Sequence, residues 1–129
     1  MSTGTNFYDI LQRRGFVKQC TDEPAVRALF AGGPVTAYIG FDPTAQSLHC
    51  GSLVPIMGLM HLERAGHKPI ALVGGGTGLI GDPSGKTEQR QLLSRDDLRK
   101  NFDAIKAQLG RFLDFTGDKA FAVDNAEWL

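Results

Sequence analysis

The sequence predicts an α/β fold in which short N-terminal helices precede about half of a doubly wound parallel sheet. Strand-like apolar runs alternate with helical patterns, and this alternation is typical of parallel strands joined by crossover helices. Glycine is frequent as well, with 16 in 129 residues (about 12%, against a background of roughly 7%), and most lie between Gly32 and Gly85. With 42% apolar and 22% charged residues, the chain can form one domain with a buried core.

Two short helices are predicted in an N-terminal segment over residues 1–33. The first covers residues 6–16 and carries its apolar side chains on one side. The second is expected to begin at Thr21 as its N-cap and to end before Gly32. We therefore expect a helical segment ahead of the sheet.

Three strands are predicted in the remainder of the chain, residues 34–129. The first is rich in β-branched and aromatic residues. The second is wholly apolar, as in parallel sheets that are buried on both faces. The predicted strands cover residues 35–41, 69–73 and 119–123.

The two connections between these strands are predicted to be helices. One covers residues 48–65 and ends at Gly66, and the other follows Ser94 as its N-cap. Their apolar residues recur at steps of three and four, so each helix has one face to bury. These residues are Leu53, Ile56, Met57 and Met60 in the first helix, and Leu98, Phe102, Ile105 and Leu109 in the second.

Two polar, glycine-bearing segments follow the first two strands, over residues 41–52 and 74–90. Ligands of open α/β sheets bind outside the carboxyl ends of the strands. We therefore expect both segments to converge on one crevice.

Composition and charge exclude several classes of protein. Because 14 Lys and Arg balance 14 Asp and Glu, a basic nucleic-acid footprint is absent. Two cysteines cannot form a disulfide framework, and the three histidines show no metal-ligand spacing with them. His61 and His67 are expected on a helix surface and in a turn. Without a membrane-length apolar run or a signal pattern, the protein is expected in the cytoplasm, away from membranes.

Two nucleotide-binding patterns are incomplete. The run from Gly76 to Gly81 matches G-x-G-x-x-G, but a turn follows it where that motif needs a helix. The sequence Gly85-Lys86-Thr87 resembles the end of a phosphate-binding P-loop, but the preceding glycine, Gly81, stands one position too close. These mismatches argue against a dinucleotide site and against a P-loop.

The start of the helix near His49 is the favoured anion site. Its N-terminal N–H groups and partial positive charge attract anions, and Thr44 and His49 add hydrogen-bond donors. Gly51 removes a side chain there, which lets a ligand lie against the backbone. A Cys–His catalytic pair is disfavoured because neighbours on a helix point in different directions, so Cys50 is predicted to be a buried thiol.

Two glycine-bearing motifs together give the chain a close resemblance to the bacterial tyrosine–tRNA ligases, which are class I aminoacyl-tRNA synthetases. Residues 38–52, YIGFDPTAQSLHCGS, resemble the family's first-strand segment and its His-x-Gly-His motif, with Ser52 at the last histidine. Residues 65–75 and 77–85 resemble the stretch that follows, and residues 108–115 are also similar to the family. The resemblance covers nearly the whole chain.

The resemblance implies that tyrosine is activated with ATP to tyrosyl adenylate and then transferred to tRNA(Tyr). Because the tyrosine carboxylate is already ionised, the first step needs positioning and charge stabilisation. The catalytic residues implied are Thr44, His49, Lys86 and Arg90. The ATP-binding residues implied are Gly40, Asp42, Pro43, Thr44, His49, Gly51 and Ser52. The tyrosine-binding residues implied are Tyr38, Leu72, Thr77 and Asp82.

The resemblance also implies the partners and the extent of the protein. ATP would enter as a substrate with Mg²⁺, beside tyrosine and tRNA(Tyr), and the full-length protein would be a homodimer. Residues 34–129 would form the N-terminal half of a Rossmann-like nucleotide-binding catalytic domain. Because the family's chains are several-fold longer, we interpret the sequence as an N-terminal fragment that has at most feeble activity alone. Its open sheet edge and apolar surface are expected to be sticky.

Other functions remain open from the sequence. A nucleotidylyltransferase of the same superfamily is similar at Gly40-Phe41-Asp42-Pro43, although its histidine motif follows the proline more closely. A tryptophan–tRNA ligase is a closer relative, but the same segment with Thr44 fits the tyrosine branch better. An inactive ATP-binding fragment is the non-catalytic alternative.

Overall fold

The computed structural model describes residues 6–41, 47–74 and 95–127. The helices in these ranges are α1 (Phe7–Arg13), α2 (Glu23–Ala31), α3 (Leu53–Arg64) and α4 (Arg95–Leu109). The strands are β1 (Thr36–Phe41), β2 (Lys68–Val73) and β3 (Phe121–Asp124), and 3-10 turns cover Cys50–Ser52 and Asn125–Glu127.

The three strands form a parallel sheet in the order β1-β2-β3, which confirms the predicted α/β class. Tyr38 lies opposite Ile70, and Gly40 lies opposite Leu72. Leu72 in turn lies opposite Val123 of β3. Because all three strands run the same way, their carboxyl ends lie at one edge of the sheet.

Helices α3 and α4 both pack on one face of the sheet, which we call the core face. Ile56 of α3 and Ile105 of α4 belong to the same buried cluster as Ala71 and Val73 of β2. Ile105, Ala71 and Val73 are fully buried. The apolar stripe predicted for α4 is buried at each of its four positions: Leu98, Phe102, Ile105 and Leu109.

The opposite face of the sheet stays partly exposed in the described structure, and we call it the open face. Tyr38 of β1 is 67% exposed and Phe121 of β3 is 39% exposed. Ile70 and Leu72 of β2 are half-buried between them. The expectation that the second strand is buried on both faces is therefore wrong for the described residues, since α3 and α4 cover the same side.

Arg27 of α2 connects the two N-terminal helices. Its guanidinium pairs with Asp9 of α1 and, at 2.9 Å, with Glu23 of its own helix. The same group lies 4.5 Å from the centroid of the Tyr8 ring. Asn6 caps α1 and also donates a hydrogen bond from Nδ2 to the Arg27 carbonyl at 2.9 Å. The helical segment is thus held by charge and hydrogen bonds as well as by apolar contact.

Some predicted details are wrong. The N-cap of α2 is Asp22 and not Thr21, because the Asp22 carboxylate accepts the Ala25 N–H at 3.0 Å. Helix α1 is shorter than predicted, and Gly15 with φ +77° follows its end. Leu53 is 45% exposed because it is the first residue of α3, ahead of the turns that pack on the sheet.

Candidate functional site

The carboxyl ends of β1 and β2 lie side by side. Phe41 and Val73 are paired at the ends of these strands, and the Gly74 N–H donates to the Phe41 carbonyl at 2.9 Å. The predicted site residues that lie outside the described residues are Asp42, Pro43, Thr44, Thr77, Asp82, Lys86 and Arg90. The predicted site residues that lie within the described residues are Tyr38, Gly40, His49, Gly51, Ser52 and Leu72.

His49 is the N-cap of the 3-10 turn that leads into α3, and we call residues 49–52 the polar turn. Its Nδ1 accepts the Gly51 N–H at 3.1 Å, and its carbonyl accepts the Ser52 N–H at 2.9 Å. Because Nδ1 is an acceptor, the neutral ring carries its proton on Nε2. The side chain is exposed, so Nε2–H can donate to an anion outside the fold.

Gly51 leaves the space that the His49 ring needs. A Cβ at this position would lie 3.0 Å from both Cε1 and Nδ1 of His49. The described structure therefore gives a reason for glycine that differs from the predicted one: the imidazole lies where a side chain would be.

The two neighbours of Gly51 differ in exposure. Ser52 is buried at 8% exposed, and it does not cap α3 with its side chain. Cys50 is exposed, so the prediction of a buried thiol is wrong. The reason is local: Cys50 begins the 3-10 turn, which lies between Leu48, packed against the core cluster, and the buried residues of α3.

Leu48, directly before His49, is held by a residue that sequence reasoning did not assign to the site. The Leu48 N–H donates to Oε1 of Gln108 at 2.8 Å, across a separation of 60 residues. The Leu48 side chain packs against the core cluster. The only sequence signal at Gln108 is a polar residue next to the buried Leu109, within the family-like segment 108–115.

Tyr38, Gly40 and Leu72 share the open face of the sheet. Tyr38 and Gly40 are alternate residues of β1, and Leu72 lies beside Gly40 on β2. Among the described residues, the Leu72 carbonyl, at 4.0 Å, is the one neighbour within 4 Å of the position of a Gly40 Cβ. The described part of the sheet therefore presents an apolar side chain at Leu72, a phenol at Tyr38 and no side chain at Gly40.

An apolar groove of 310 Å³ lies along β1 between α1 and α3. It is lined by side chains that include Leu11, Phe16, Ile39, Val54 and Leu62. His49, Gly51 and Ser52 are not among its lining residues.

Two other histidines are buried against the N-terminal part of the chain. His67 lies at the predicted turn and is 8% exposed, and its Nδ1 accepts the Val35 N–H at 3.0 Å. His61 is 9% exposed, so its predicted surface position is wrong, because its ring lies against Phe16. Burial lowers the pKa of both imidazoles, and the charge of nearby Arg14 lowers that of His61 further.

Two features are absent from the described residues, 6–41, 47–74 and 95–127. There, no three His, Cys, Asp or Glu side chains come together as a metal site would require. No helix in those ranges has the length and apolar character needed to cross a bilayer.

Known proteins resemble this chain in sequence and in structure. The family model for tRNA synthetases class I (W and Y) matches residues 31–129. The tyrosine–tRNA ligase of Desulfosudis oleivorans is 62% identical over 94% of this chain and 28% of its own length. That of Clostridium tetani is 55% identical over 98% of this chain and 31% of its own length.

A solved structure agrees with these relatives. A C-terminally truncated mitochondrial tyrosyl-tRNA synthetase of Coccidioides posadasii superposes with a TM-score of 0.76 at 28% identity, over 97% of this chain and 36% of that one. This chain thus spans about a third or less of the relatives it matches. On the family match, which covers most of its residues, the chain belongs to the class I tRNA synthetases of the tryptophan and tyrosine group.

Proposed function

We propose that this chain forms the ATP- and tyrosine-contacting part of a tyrosine–tRNA ligase. One observation carries the proposal: the exposed His49 turn follows the carboxyl end of β1, whose open face presents Tyr38 and, opposite Leu72 of β2, Gly40. Ligands of open α/β sheets bind at this end. The names of the relatives, at 62% and 55% identity, support tyrosine as the amino acid.

The reaction is adenylate formation followed by acyl transfer. A carboxylate oxygen of tyrosine forms a bond to the α-phosphorus of ATP, and the bond from that phosphorus to the bridging oxygen breaks. The electron pair leaves with pyrophosphate. The carboxylate is already ionised, so no protein base takes a proton, and Mg²⁺ enters with ATP as part of the substrate. In the second step a hydroxyl oxygen at the 3′ end of tRNA(Tyr) bonds to the tyrosyl carbonyl carbon, the bond from that carbon to the phosphate oxygen breaks, AMP leaves and the hydroxyl proton passes to solvent.

His49 stabilises charge in this proposal. The hydrogen bond from Gly51 N–H to Nδ1 fixes the neutral tautomer, so Nε2–H faces outward as a donor. A donor aimed at phosphate oxygens favours the transition state, in which those oxygens gain charge. Thr44, Lys86 and Arg90 contact the same phosphates in the proposal, while Asp42, Pro43, Gly40 and Ser52 complete the ATP site.

The amino acid lies on the open face in this proposal. The Tyr38 hydroxyl bonds the substrate phenol, and Leu72 forms the apolar floor under its ring. Asp82 pairs with the substrate ammonium, a charge-assisted contact, with Thr77 nearby. A homodimeric full-length protein in the cytoplasm belongs to the same proposal.

The test is ATP–pyrophosphate exchange by the full-length protein with each of the twenty amino acids. We expect exchange with tyrosine and not with phenylalanine or tryptophan. Exchange with tryptophan, or exchange that needs a phosphorylated small molecule, would refute the proposal. Lys86→Ala should abolish most of the tyrosine-dependent rate, whereas Lys68→Ala, at the exposed amino end of β2, should not.

A further inference from the structure

We propose that Gln108 is a positioning residue for His49 and acts through the backbone N–H of Leu48. This inference rests on the proposed function, because it assigns Gln108 a part in the ATP side of that site. The structure places the two residues on different elements: Leu48 precedes the 3-10 turn, and Gln108 lies in the last turn of α4.

The side chain of Gln108 extends from a fixed base. Its neighbour Leu109 and the preceding turn's Ile105 are both fully buried in the core cluster. Gln108 itself is half-buried. Because the backbone of α4 is fixed at this point, the Gln108 side chain has few available rotamers, and its Oε1 has a defined position.

The acceptor reaches the backbone directly before His49. The Leu48 N–H to Gln108 Oε1 distance of 2.8 Å is at the short end of the usual range for N–H donors. The Leu48 side chain packs against the core cluster as well. Backbone and side chain of Leu48 are thus both held, and His49 follows in the chain with its ring fixed by the Gly51 N–H.

The hydrogen bond from the Leu48 N–H to Gln108 fixes the backbone that leads into the turn. The hydrogen bonds within the turn do not fix that backbone. The His49 carbonyl and Nδ1 are bonded to Ser52 and Gly51, so the turn is internally rigid. The turn continues directly into α3 on one side, and on the other side its placement depends on what holds Leu48. Loss of the Gln108 acceptor should therefore move the His49 donor as a unit, and small displacements of catalytic groups cost rate.

The primary test replaces Gln108 with methionine, which keeps the length of the side chain and removes the amide acceptor. In the full-length protein we expect Gln108→Met to lower kcat/KM for ATP about tenfold in tyrosine-dependent exchange. KM for tyrosine should stay within about twofold, because Tyr38 and Leu72 are held by the strands. Gln108→Glu, which retains Oε1, should recover most of the loss. Gln19→Leu, at an exposed loop position, is the control.

A double-mutant cycle shows whether Gln108 acts through His49. In a His49→Ala background, Gln108→Met should cost no more than about twofold further. If Gln108→Met lowers kcat/KM for ATP equally with and without His49, the assignment is overturned. It is also overturned if Gln108→Met leaves the activity of the enzyme unchanged, or if Gln108→Glu fails to recover the activity. If Gln108→Met unfolds the protein, Gln108→Leu is used for the same comparison.

A second readout does not depend on activity. Amide hydrogen exchange at Leu48, measured in the full-length protein, should be about tenfold faster in Gln108→Met than in the unsubstituted protein. Unchanged protection at Leu48 would overturn the assignment even where exchange activity falls. A full-length protein without tyrosine-dependent exchange overturns the proposed function and this role with it, whereas an active protein insensitive to Gln108→Met overturns the role of Gln108 alone.

Discussion

The two faces of the sheet differ in how far their side chains are buried. On the core face, Phe41, Ala71 and Val73 are buried under α3 and α4. On the open face, Tyr38 is 67% exposed and Leu72 is half-buried. Residues of the same strands, one position apart, thus take opposite environments. The difference indicates that the core face maintains the fold, while the open face is available for contact with a ligand or with further protein.

The largest effect is expected from the core face. Ile105→Ala should lower the free energy of unfolding by about 2–5 kcal/mol, because it removes buried methyl groups and leaves a cavity. Leu72→Ala, on the open face, should cost only about 1 kcal/mol, since less of its side chain leaves water on folding. Urea unfolding of the chain measures both. Equal losses would show that the two faces are packed alike.

A smaller effect, on activity alone, is expected from Tyr38→Phe. Removal of one hydrogen bond to the substrate phenol should lower kcat/KM for tyrosine by about tenfold or less. The urea midpoint should not change, because the Tyr38 side chain is largely exposed. A shifted midpoint with unchanged kcat/KM would assign Tyr38 to the fold.

Gly51→Ala should change the geometry of the polar turn, and with it the exchange rate, while it leaves the free energy of unfolding nearly unchanged. The new Cβ would lie 3.0 Å from two atoms of the His49 ring, so the imidazole must shift and its bond to the Gly51 N–H weakens. Loss of a capping bond costs about 1 kcal/mol, which corresponds to a rate about fivefold lower if the donor is displaced.

Stability should change little in Gly51→Ala, because alanine gains up to about 1 kcal/mol over glycine within a helical turn. Gly117→Ala is the matched control, since a Cβ there meets no atom of the described residues within 4 Å. An exchange rate equal to that of the control would mean that the ring position does not matter.

The smallest effect is expected on the pH dependence of stability. Burial lowers the pKa of His61 and His67, so the folded chain resists protonation while the unfolded chain takes up protons below about pH 6.5. The unfolded state then binds more protons, and stability falls as the pH falls through this range. Thermal unfolding between about pH 7.5 and 5.5 measures this, and His61→Gln with His67→Gln should flatten the slope. A Tm that rises on acidification would contradict it.

Much of the fold followed from the sequence because its signals are periodic. The four apolar residues of α4 recur at helical steps and are buried, and two apolar runs form the predicted parallel strands. The predictions are wrong where a single neighbouring residue determines the local structure. Asp22 caps α2 in place of Thr21, and both are ordinary capping residues.

The site was less predictable for the same reason. His49 and Gly51 stand out as residues at a helix start, but the bond between them depends on the backbone of the 3-10 turn. Gln108 lies 60 residues from Leu48, and no local pattern in the sequence joins them. The face of β2 that stays open could not be foreseen either, because an apolar strand has the same sequence whether one or both sides are covered.

The most direct test of the account concerns His49 in the full-length protein. In the proposed function, the polar turn acts on the phosphates of ATP while the open face holds the amino acid. His49→Ala should lower kcat of tyrosine-dependent ATP–pyrophosphate exchange at least about tenfold, with KM for tyrosine within about twofold of the unsubstituted enzyme. An unchanged kcat, or a raised KM for tyrosine at unchanged kcat, would contradict the claim.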